Sequence, residues 1–164
     1  MAEQTPATNG NGQAAPQRQL ALQKIYVRDA SFEVPNAPAV YQEDGQPQVQ
    51  LNLSHKAGQI GEGSYEVVLT LTVTCTLNER TAYLAEVQQA GAFAAIGFPQ
   101  EELNAVLGSY CPSVLFPYAR QIVSDLVQNG GFPPLLLQPI NFDALYAEQV
   151  QQAAGGDAAP ALNA

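Results

Sequence analysis

The chain has 164 residues, enough for one domain with a real core and too few for two comfortable ones. A hydrophobic content of 46% excludes wholesale disorder. With 15 acidic against 6 basic residues and a formal charge of −9, the chain lacks the clustered Lys and Arg that nucleic-acid binding requires, and its surface fits a basic partner better.

Residues 1–18 are mostly Gln, Asn, Ala, Pro and Gly, and read as a disordered tail without the apolar run of a secretory signal. Residues 153–164 repeat that character, which leaves a folded body over 19–152. No segment reaches the roughly 18 apolar residues needed to span a bilayer. The expectation is therefore a cytoplasmic, soluble protein.

Leu20 to Val34 reads as a strand ended by Pro35, and Pro35-Asn-Ala-Pro38 as a turn. Val49, Leu51 and Leu53 alternate with Gln48, Gln50 and Asn52, the period-two pattern of a half-buried strand. In Glu66 to Leu77, Val67, Leu69, Leu71, Val73 and Cys75 share one face, while Val68 and four threonines share the other. Asn78-Glu-Arg80 makes a short turn, and Thr81 to Gln89 returns as its hairpin partner. Four strands with short connections imply an antiparallel meander.

Past Gly97 the pattern becomes helical. Pro99 with Glu101 and Glu102 reads as a helix start, Pro112 as an interruption, and Ser113–Gln128 as a long helix kinked at Pro117. Its apolar positions, among them Val114, Leu115, Tyr118, Ile122 and Leu126, cover an arc of about 220°, where one sheet needs little more than about 100°. Such a helix is covered on two sides, and the second cover is expected to be another subunit. Gly130 to Phe142 is apolar and carries Pro133, Pro134 and Pro139, so it should be a stiff extended loop presenting Phe132, Leu135, Leu136, Leu137 and Ile140. The residues leave two uses open: a surface that holds apolar chains extended, or a plug for the chain's own core. A short helix follows, with Asn141 as its N-cap. The fold class is thus α+β, a four-stranded antiparallel sheet with a long kinked helix and a short C-terminal helix packed on one face.

Nothing in the sequence assembles a catalytic set. His55 is the one histidine, expected in a solvated loop; Cys75 and Cys111 form no CxxC pair, and Gly61-Glu-Gly63 lacks the spacing and lysine of a phosphate loop. The chain reads as a non-enzyme with no cofactor and no metal. Asp29, Ser31 and Glu33 share a strand face, and Glu86 shares one with Leu84 and Gln88. These faces could dock a basic partner or could simply be solvated.

Ile25-Tyr-Val-Arg-Asp-Ala-Ser-Phe-Glu-Val-Pro-Asn-Ala-Pro38 resembles the opening of SecB, the bacterial protein-export chaperone family. Tyr65-Glu-Val-Val-Leu, Leu84-Ala-Glu-Val-Gln-Gln89, Leu107-Gly-Ser-Tyr-Cys-Pro112, Leu115-Phe-Pro-Tyr-Ala-Arg120 and Pro139-Ile-Asn-Phe-Asp-Ala-Leu145 follow in the family's order. The resemblance implies a homotetramer, a dimer of dimers with the long helices packed between dimers. It also implies ATP-independent binding of unfolded precursor proteins and their delivery to the translocation ATPase SecA, with no direct membrane insertion. By position, Asp29, Glu33, Leu84 and Glu86 correspond to the family's SecA-contacting face. Ala85, Val87 and Gln89 fall on the alternate face, where the family's residues influence assembly, and the helix supplies Val114, Leu115, Ile122 and Leu126 to the oligomer interface. The substrate groove would be lined by Val49, Leu51, Leu53, Tyr118, Phe132, Leu135, Leu136, Leu137 and Ile140. Gly45 stands where relatives often carry tryptophan, and Ala85 where they often carry cysteine. The competing expectation is a non-enzymatic oligomeric assembly module whose apolar loop is sealed in an interface.

Overall fold

A computed structural model describes residues 14–155. The expected tails 1–18 and 153–164 therefore lie largely outside the described residues. Where they overlap, Arg18 pairs with Glu102 through two contacts of 2.5 and 3.1 Å, and residues 153–155 continue the last helix. Four long strands, β1 (Gln19–Glu33), β2 (Gln48–Gly61), β3 (Ser64–Leu77) and β4 (Arg80–Ile96), form one antiparallel sheet.

Strands β2, β3 and β4 are the expected meander, but β1 departs from it. The spatial order is β1-β4-β3-β2, so β1 pairs with β4 along its whole length and never meets β2. The burial along β4 explains this. Tyr83, Ala85, Val87 and Phe93 are buried on its inner face and Ala90 and Ala94 on its outer one, and a strand buried along so much of its length belongs inside a sheet rather than at its edge. A simple meander would have left β4 at the edge. The connection from β1 to β2, residues 34–47, crosses the end of the sheet and contains a single 3₁₀ turn, Ala39–Gln42. The β3–β4 turn is the short one expected, with Asn78 at φ 50° and Glu79 at φ 64°, the paired positive values that suit the twist of a tight hairpin.

The expected faces of β3 appear as read: Val67, Leu69, Leu71, Val73 and Cys75 are at most 3% exposed and meet the helical layer. That layer is more continuous than the prolines imply. Helix α1 (Gln100–Ala105) runs through a π-helical turn (Val106–Tyr110) into α2 (Cys111–Asn129), with no break at Pro112. Pro112 is tolerated because it sits in the first turn of α2, where its missing N–H costs little. Leu115, Phe116, Ala119, Val123 and Val127 bury one side of α2 against β3 and β4. Helix α3 (Phe142–Gly155) packs chiefly on the π-helical turn rather than on the sheet. Asn141 caps it as expected, its side-chain oxygen accepting from the Ala144 N–H at 3.1 Å. Phe142 reaches back to Phe116, with ring centres 5.8 Å apart.

Candidate functional site

At the end of the sheet where β3 turns into β4, a cleft of about 460 Å³ opens between three structures. One wall is the crossover segment, with Val40, Tyr41, Gly45 and Pro47. The floor is Val49, Cys75, Leu77, Ala82 and Tyr83 from β2, β3 and β4, and the far wall is Gly131 to Leu135 of the proline loop. Three rings form a row across it: Tyr41 lies 5.3 Å from Phe132, and Phe132 lies 4.8 Å from Tyr83. Tyr83 also stacks on Phe32 at 5.7 Å. Apolar and aromatic surface that stays open to solvent is the chemistry of a site for apolar side chains.

Local sequence explains why the far wall stands where it does. Helix α2 ends in a Schellman motif, the Phe132 N–H donating to the Val127 carbonyl at 3.2 Å and the Gly131 N–H to that of Gln128 at 3.0 Å. Gly131 takes the left-handed conformation this needs, φ 84°. A side chain at Gly130 would lie 2.1 Å from the Phe32 ring, so only glycine lets the loop leave the helix this closely. Beyond it the loop alternates. Phe132, Leu135, Leu137 and Ile140 turn under onto the core, while Leu136 is 77% exposed. The loop is therefore wall on its first stretch and core cover beyond.

Of the residues expected in the groove, Val49, Phe132 and Leu135 line the cleft. Leu51 and Leu53 share the face of Val49 but are half-buried beneath the helical layer. Leu137 and Ile140 are taken up in packing, and Leu136 points away into solvent. Tyr118 is displaced from the groove altogether, because steps of four along α2 put it in one stripe with Val114, Ile122 and Leu126. That stripe is incompletely covered, Tyr118 being 51% exposed. The interface expectation needs correcting at four residues. Ala85, Val87 and Gln89 on the covered face of β4 and Leu115 on the sheet-facing side of α2 are at most 2% exposed within the single chain, so they are not on the surface it offers another copy. Gln89 is held there by its side-chain N–H donating to the Tyr26 carbonyl at 2.8 Å.

Sequence reading missed Val40, Tyr41, Pro47, Leu77, Ala82 and Tyr83. Tyr83 was within reach, since counting by two from Ala85 puts it on the helix side. Tyr41 lies in an irregular segment and carried no periodic signal. Gly45 widens the cleft: a Cβ there would come within 2.6 Å of the Asn78 side chain and 3.0 Å of Leu77. Burial pushes the Cys75 thiol and the Tyr83 hydroxyl upward, and the Cys111 thiol to about 12. Both cysteines thus stay protonated packing residues at neutral pH. His55 is not in a loop. It sits in β2 opposite Leu69, half-buried toward the π-helical turn, and burial lowers its pKa. Among the described residues no cluster of His, Cys, Asp or Glu is placed to hold a metal ion, and no helix is long and apolar enough to cross a membrane.

The second feature lies on the opposite face of the sheet. Pairing sets Ser31 beside Glu86, Glu33 beside Leu84 and Asp29 beside Gln88. A bulge between Val27 and Asp29 makes this possible, since an unbroken count by two from Ile25 would have turned Asp29 toward the helices. Ser31, Glu33, Thr72, Leu84 and Glu86 rim a shallow depression of about 200 Å³. Thr72 donates to the Glu86 carboxylate at 3.0 Å. Further along the same face Glu66 is engaged by Arg28 at 3.1 Å and by the Tyr26 hydroxyl, whereas among the described residues Asp29, Glu33 and Glu86 have no salt-bridge partner.

Comparison with known proteins decides the family. The model of SecB, "Preprotein translocase subunit SecB", matches residues 13–153. The chain belongs to the SecB family. The Protein-export protein SecB of Methylococcus capsulatus is 59% identical over 138 residues, covering 84% of this chain and 89% of that one. Its counterparts in Xanthomonas campestris pv. campestris and Stenotrophomonas maltophilia are 51% and 50% identical, covering 94% and 93% of this chain and 96% and 91% of theirs. Among solved structures, a Mycobacterium tuberculosis SecB-like chaperone in complex with a peptide from the HigA1 antitoxin shares the fold, with a TM-score of 0.63 at 19% identity over 74% of this chain and 90% of that one. With SecB relatives this similar over most of the chain, the protein is a protein-export chaperone.

Proposed function

We propose that this chaperone holds unfolded precursor proteins in the cleft between the crossover segment and the proline loop, without ATP, and passes them to SecA at the acidic strip on the other side of the sheet. The observation that carries the reading is the row of Tyr41, Phe132 and Tyr83 in an open, apolar cleft. Rings offer large contact area with little side-chain entropy to lose, and they accept many apolar side chains without demanding one shape. The protein would work in the cytoplasm, where its clients are made, and as a binder rather than an enzyme.

The carboxylates of Asp29, Glu33 and Glu86 around Leu84 suit a basic segment of SecA, since unpaired surface charge of one sign steers the opposite sign to it. The stripe Val114, Tyr118, Ile122 and Leu126 is the surface for self-association, and two such helices packed together would give the dimer of dimers. The direct test is to refold a slow-folding precursor with stoichiometric chaperone. The expected result is a marked delay that ATP does not alter. Refolding at the unassisted rate would reject the reading in favour of an assembly module.

A further inference from the structure

The two walls of the cleft are held in unequal ways. The back of the crossover segment is fastened to the β3–β4 turn by four side-chain bonds. Asn36 donates to the Thr81 carbonyl at 2.9 Å and Asn78 to that of Asp44 at 3.1 Å, while Arg80 reaches Glu43 at 2.6 Å and Asn36 at 3.2 Å. The opposite wall is fixed by the Schellman turn at Gly130 and Gly131. Across the mouth, among the described residues, one hydrogen bond joins the walls: the Tyr41 hydroxyl donates to the Gly130 carbonyl at 2.7 Å. Tyr41 is 49% exposed, so water competes for both partners and the bond is weak.

We propose that the Tyr41–Gly130 bond is a latch, and that its opening sets how fast a client can enter the cleft; this rests on the cleft being the client site. The row of rings supplies the reason. While the hydroxyl is held, the Tyr41 ring lies against Phe132, so a client side chain that takes that place on Phe132 displaces it. With the segment stapled on both sides of Tyr41, at Asn36 and at Glu43 and Asp44, that displacement is a swing of the Tyr41 side chain and not unfolding of the wall. Binding through a minority open state is slowed by the fraction that is open. Tyr41 is therefore a positioning residue that controls entry, and its hydroxyl need not touch the client.

The test uses the full chain and a fluorescein-labelled extended peptide rich in Phe and Leu, mixed by stopped flow. Tyr41→Phe keeps the ring and removes the hydroxyl. The association rate constant is expected to rise about fivefold, with the dissociation rate constant unchanged, since a partly exposed hydrogen bond is worth roughly that factor in an opening equilibrium. An unchanged association rate would overturn the latch while leaving the client site in place. Faster dissociation would overturn it too, because the hydroxyl would then be a client contact. If the unsubstituted chain fails to bind the peptide, the cleft itself is not the client site, and the latch falls with it.

Discussion

The two faces of the sheet share four strands and have opposite chemistry. On one, Val67, Leu69, Leu71 and Val73 of β3 and Ala85, Val87 and Phe93 of β4 form an apolar surface interrupted by the buried Gln89 and sealed by α2 except where it runs out into the cleft. On the other, Thr70, Thr72, Thr74 and Thr76 lie beside Gln48, Gln50, Asn52 and Ser54, with the carboxylates gathered where β1 meets β4. On the function proposed above, the difference would separate two tasks: an apolar cleft to hold what has not folded, and a polar face to present charge to a folded partner. Neither task needs the other's surface, so each should be open to damage alone.

The contrast is sharpest in stability. Leu71→Ala empties a fully buried position on the covered face and should cost about 2–5 kcal/mol, whereas Thr74→Ala on the open face should stay within about 0.5 kcal/mol. Denaturant midpoints of the two variants would measure this, and similar losses would erase the distinction between faces. Ile122→Glu, on the outer stripe of α2, should leave the fold intact but weaken self-association by at least about tenfold, or about 1.4 kcal/mol. Sedimentation equilibrium reads that shift, and an unaltered assembly would move the interface elsewhere. The smallest effect concerns His55. Its pKa is lowered by burial from 6.5, so the unfolded chain takes up a proton that the folded chain refuses. Stability should therefore fall as pH drops below about 6.5, and His55→Gln should flatten that part of the pH profile. A profile identical in the two proteins would mean that His55 is solvated after all.

What the sequence made legible follows from periodicity. The faces of β3, the grouping of Asp29, Ser31 and Glu33, the turn at Asn78, the cap at Asn141 and the partly uncovered stripe on α2 each rest on a repeat or a local signal that one segment carries alone. The long-range choices were hidden. Whether β1 sits beside β2 or β4 depends on which strand tolerates an edge, and the bulge before Asp29 has no residue signature. The cleft was half legible for the same reason: Val49, Phe132 and Leu135 belong to recognisable segments, while Tyr41 reaches it from a crossover whose path is set by bonds to Thr81 and Arg80. Prolines misled where they met helix. Pro112 sits harmlessly in a first turn, and a π-helical turn joins what looked like two pieces.

Whether the two faces divide client holding from SecA docking is decided by a paired binding measurement. Val49→Asp places a charge at a cleft position that is 45% exposed, and Glu86→Lys reverses charge in the acidic strip. Calorimetric titration of each variant with an unfolded precursor and, separately, with SecA should show Val49→Asp losing about tenfold in precursor affinity alone, and Glu86→Lys losing about tenfold for SecA alone. Variants that weaken both ligands together would contradict the division.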